Sequence, residues 1–170
     1  MKHLQLVPHL TKVRAGNEKG ISIIELLTVI AIILVVLTSL LGVATFSLSH
    51  SILIKETTQA NNLDQEAIEA VRNFRDGTTW GANGLGLLTL GVSYYVQKTA
   101  DVPPIWQMIL GEETIGNYKR KVVFSSVQRD TNDNIVESGG TDDPDTKKVT
   151  ATVSWKDKKV EIITYLTNWK

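Results

Sequence analysis

Apolar residues run almost unbroken from position 21 to position 48, and then return only at spacings of three and four among polar ones. The 23 residues 26–48 carry no charge. At about 1.5 Å per residue a helix of that length reaches roughly 35 Å, enough to cross a bilayer. From Ser51 onward Lys55, Glu56, Asp64, Glu66 and Glu69 make the chain polar, while Leu63, Ala67, Ile68, Val71 and Phe74 fall on one face of an amphipathic helix. Gly77 predicts its end. The two stretches join into one helix of about 55 residues, with Gly42 and the Thr38-Ser39 pair as the places where it could bend.

Past the helix the periodicity changes. Residues 78–95 interleave Gly81, Gly84, Gly86 and Gly91 with leucines, and read as loop with a short hairpin. Gly84-Leu85-Gly86 is no phosphate loop, because no Lys-Ser or Lys-Thr comes after it. Residues 119–129, 148–156 and 160–167 read as antiparallel strands. In the second of these Val149, Ala151, Val153 and Trp155 alternate with Thr150, Thr152 and Ser154. The last two strands make a hairpin through a turn at Asp157 and Lys158. The expected fold is α+β: a long N-terminal helix packed against an antiparallel sheet of three or four strands, with Trp80 and Trp106 covering the seam.

Charge adds an orientation. The chain has 18 basic and 18 acidic residues, but Lys2, Lys12, Arg14 and Lys19 stand against Glu18 alone in the first 20 positions. The chain beyond Gly20 is therefore slightly acidic. The basic end belongs in the cytoplasm by the positive-inside rule, and the C-terminal part outside. With no cysteine, neither a disulfide nor a thiol nucleophile is available.

Glu25 is the one charge inside the apolar run. Placing an ionised group in hydrocarbon costs on the order of 3 kcal/mol, so it calls for a partner. The segment Lys19-Gly20-Ile21-Ser22-Ile23-Ile24-Glu25-Leu26-Leu27-Thr28 resembles the class III signal of type IV pilins and pseudopilins. It joins a basic leader, a glycine, a hydroxylated second mature residue, an acidic fifth and a long apolar helix. Ile21 stands where the family usually has phenylalanine.

The resemblance implies cleavage after Gly20 by a prepilin peptidase and methylation of the new amino terminus at Ile21. It also implies pairing of Glu25 with the amino terminus of an adjacent subunit, which would relieve both charges. The implied organisation is a leader over 1–20, a membrane and assembly half-helix over 21–50, an amphipathic half-helix over 51–77, and a glycine-rich loop with a C-terminal sheet domain over 78–170, in the ladle shape of pilins. The implied partners are the peptidase, other subunits, an assembly platform and the membrane, and the implied place is a surface filament of pilus or secretion type. A membrane-anchored extracellular binding protein that never polymerises, and whose binding could depend on calcium, is the alternative.

Candidate chemistry elsewhere is sparse. Asp130, Asn132, Asp133, Asp142, Asp143 and Asp145 gather in an oxygen-rich stretch that could hold calcium, as some pseudopilins do in the corresponding region. An EF-hand would need glycine at Ile135 and glutamate at Thr141, so a solvated turn is the favoured reading. The histidines are His3, His9 and His50, none in the outer domain, and catalysis is not expected. Lys119-Arg120-Lys121 and Lys147-Lys148 are basic, but alternation along a strand splits them between two faces, and they read as solvated residues and not as a nucleic-acid surface.

Overall fold

The computed structural model describes residues 20–169. The basic leader, with His3 and His9, lies outside the described residues apart from Gly20. One helix, α1 (Ile23–Gly77), accounts for 55 residues and is uninterrupted through Gly42. Seven strands come after it: β1 (Ser93–Lys98), β2 (Trp106–Leu110), β3 (Glu113–Ile115), β4 (Tyr118–Arg129), β5 (Ile135–Val136), β6 (Thr141–Trp155) and β7 (Lys158–Thr167). The fold is α+β, a long N-terminal helix with its later turns packed on a small antiparallel sheet. The chain divides into two compact units between Leu48 and Ser49.

In the first unit every described residue is exposed. This part of α1 is long and apolar enough to span a membrane.

The second unit holds the core. Ala60, Asp64, Ala67, Ile68 and Val71 are buried at spacings of three and four, so one stripe of α1 lies on the sheet. The main cluster unites Ala67, Ile68 and Val71 with Leu85, Tyr94, Val96, Val122, Phe124, Val149, Ala151 and Leu166. A smaller one joins Ala60 to Tyr118, Val153 and Trp155. Alternation brings this about: Tyr118, Arg120, Val122 and Phe124 of β4 face inward, and Val153, Ala151 and Val149 of β6 lie opposite the last three.

The sheet is larger than the three or four strands expected. Its order is β2-β1-β4-β6-β7, with β3 and β5 also on β4. Residues 141–147 extend β6 instead of forming loop, and the pairing survives a register shift between Ser126 and Val127. Polar side chains along 141–146 hide this strand from a pattern search. The β1–β2 hairpin falls partly in the stretch read as loop. The β6–β7 turn uses Lys156 and Asp157, one residue earlier than expected, with Lys156 at φ 52°. Trp80 and Trp106 are half-buried against the main cluster, in the role expected of them.

Candidate functional site

The N-terminal site is built by the first turn of α1. The Ser22 carbonyl accepts the Leu26 N–H at 3.1 Å, which makes Ser22 the N-cap and puts Glu25 at the third helical position. Ser-x-x-Glu is the spacing of a capping box, and a carboxylate in the first turn is favoured by the helix dipole. Gly20 and Ile21 precede this turn and are exposed. Among the described residues no ion pair forms to Glu25.

Four hydroxyls within the apolar helix are internally satisfied. Thr28 donates to the Glu25 carbonyl at 2.8 Å, Thr38 to Leu34 and Val35 at 3.0 Å, Ser39 to Val35 at 2.8 Å and Thr45 to Gly42 at 2.9 Å. Such back-bonding removes the cost of placing a hydroxyl in an apolar medium. Along the same helix Ile24, Leu27, Ile32, Val35, Leu41 and Phe46 remain exposed.

The six candidate calcium ligands fall into two neighbouring groups. Asp130, Asn132 and Asp133 form the turn between β4 and β5, whereas Asp142, Asp143 and Asp145 stand on β6. Asp130 accepts the Asn132 and Asn134 N–H groups at 2.8 and 2.9 Å and the Asn134 side-chain amide at 3.1 Å. The Asn134 side chain first, and its backbone N–H next, hold the Asp130 carboxyl below its ordinary range. Arg129 stands between the groups, with Nε 2.7 Å from Asp143 and 3.6 Å from Asp133. The Thr146 hydroxyl and then Arg129 hold Asp143 low. Asp142 accepts from Gln128 at 3.1 Å and Asp145 from Asn168 at 3.0 Å. Among the described residues no group of three or more His, Asp or Glu side chains gathers closely enough to hold a metal ion.

The helix–sheet seam contains charged groups that the sequence pattern places in water. Arg120, the middle of the basic run, is only 3% exposed. It donates to Glu113 from Nε at 3.0 Å and Nη2 at 2.6 Å, and from Nη1 to the Leu63 carbonyl at 3.2 Å, with Glu66 at 3.3 Å. Asp64, counted among the polar residues of the helix, is fully buried, and neither carboxyl oxygen has a hydrogen-bond partner. A signal for its burial is present in the sequence: 60, 64, 67, 68 and 71 are one helical stripe, and position 64 completes it.

Compared with known protein families, curated proteins and solved structures, the chain matches none.

Proposed function

We propose that this chain is the membrane-stored precursor of a filament subunit of the type IV pilin or pseudopilin kind. It is cut after Gly20 by a prepilin peptidase, methylated at Ile21, and polymerised by an assembly platform through residues 21–50. The observation that carries the reading is the apolar surface of α1 before Leu48, exposed on every side directly after a Gly20-Ile21 junction. Such a surface needs hydrocarbon or neighbouring helices around it. A bilayer would serve the stored precursor, and copies of the same helix would serve the filament.

Glu25 then acts in assembly. An acid in the first turn of a helix with a free amino group four residues before it is placed to exchange charge with the same two groups of a neighbour. The role is structural and not catalytic, and the C-terminal sheet domain faces outward.

A groove of about 490 Å3 on the β4–β7 sheet, lined by Ser126, Gln128, Glu137, Lys148 and Tyr165 among others, favours a second reading. In it the chain is an anchored extracellular binding protein that never polymerises. N-terminal sequencing and intact mass of protein from cells with and without the prepilin peptidase separate the two. A methylated chain beginning at Ile21, seen only with the peptidase, is the expected result. An uncut chain, or one cut after the hydrophobic helix, would leave the anchored binding protein.

A further inference from the structure

Asp64 is a fully buried carboxyl with both oxygens unpartnered, and it lies between the two apolar clusters that join α1 to the sheet. Ala60 of the smaller cluster is one turn before it and Ala67 and Ile68 of the larger one a turn after it. An ionised group in that position opposes the packing of its own stripe. The neighbouring cation makes no hydrogen bond to it and relieves it only in part, because the Arg120 guanidinium is engaged by Glu113, Glu66 and the Leu63 carbonyl.

We propose that Asp64 is a proton-operated latch of the helix–sheet seam: the neutral carboxyl closes residues 60–71 of α1 onto the sheet, and its ionisation loosens that contact. Every residue involved lies in the unit that begins at Ser49, so the latch does not rest on the proposed membrane insertion or filament assembly.

Burial fixes the direction. Burial pushes the Asp64 carboxyl up, from 3.8 to about 6. The Ile162 backbone N–H of β7 lies close enough to favour the charged form without reaching hydrogen-bond geometry; Glu161 of β7 raises the value and Arg120 of β4 lowers it. A carboxyl whose folded value lies above its unfolded one binds its proton more tightly in the folded state. Folding is therefore favoured as pH falls through 6 and becomes less favourable as pH rises from about 4 to about 6.

The test is urea unfolding of the full chain in detergent at pH 5.0 and 7.5, monitored by tryptophan emission, since Trp80, Trp106, Trp155 and Trp169 all lie in the second unit. With these values the folding equilibrium constant is expected to be about tenfold larger at pH 5.0. Asp64→Asn should abolish most of that difference. A difference undiminished in Asp64→Asn would overturn the latch. As a readout that needs no variant, the carboxyl-carbon NMR shift of Asp64 in the wild-type chain should titrate with a midpoint near 6, and a midpoint at or below about 4 would overturn it equally.

Discussion

Arg120 and Glu113 face each other across the β3–β4 pairing, with Nη2 2.6 Å from Oε2 and Nε 3.0 Å from the same oxygen. Because Arg120 also reaches the Leu63 carbonyl and Glu66 of α1, this pair ties the β3–β4 hairpin to the helix. Its removal from one side should be costly and from both sides cheaper. Glu113→Ala leaves a buried guanidinium short of its main partner and should destabilise the chain by about 3 kcal/mol. Adding Arg120→Met to that variant should recover part of the loss, because an apolar chain of similar length suits the inward row of β4. A double-mutant cycle by urea unfolding measures this, and an additive result would mean the pair contributes nothing of its own.

A second expectation concerns acid. Glu56 accepts from Lys156 at 2.6 Å and from the Trp155 indole N–H at 3.1 Å, and these contacts, the Lys156 bond foremost, hold its carboxyl below the ordinary range. Asp130 and Asp143 are held low as well. Each carboxylate with a depressed folded value contributes stability that is present above its unfolded value, near 4, and is lost as pH falls through the folded one. Stability should therefore decline below about pH 4, opposite to the trend Asp64 sets between 4 and 6. Glu56→Gln should flatten part of that decline, as read by midpoints at pH 2.5 and 4.5.

The helix is legible in the sequence to within two residues, and so are the cores of β4, β6 and β7, because each is long and its period is unbroken. The charged seam is not. Asp64 and Arg120 sit where the helical and the strand periods both put a core residue, yet their charge argues for solvent and masks the period. Long apolar patterns come from burial alone, whereas a buried charge depends on partners distant in sequence, such as Glu66 and the Leu63 carbonyl for Arg120. The strand at 141–147 is hidden for a related reason: its aspartates are turn formers, and only pairing with β4 makes them a strand.

The acidic stretch makes a prediction about calcium. Arg129 already neutralises Asp143 and reaches the Asp133 carbonyl at 2.8 Å, so a divalent cation would have to displace a guanidinium held by several acceptors. Millimolar calcium or a chelator should each move the thermal midpoint by less than about one degree. A rise of several degrees with calcium would make these residues a metal site after all. Arg129→Gln is the informative companion, because it removes the resident cation and leaves the acids in place.

The last prediction concerns Glu25. If its work is done between subunits, the residue is dispensable for insertion and cleavage and needed only for polymerisation. Glu25→Ala should therefore accumulate in the membrane as a chain beginning at Ile21, at a level equal to wild type, and be absent from sheared filaments. The capping position of Glu25 three residues after Ser22 offers a competing account, in which the loss merely frays the first turn of α1. Glu25→Gln distinguishes them, because glutamine keeps the capping-box geometry and discards the charge. Filaments that form with glutamine but not with alanine would assign the residue to the cap. Failure of both variants, with processing intact, would assign it to the ion pair with a neighbouring amino terminus.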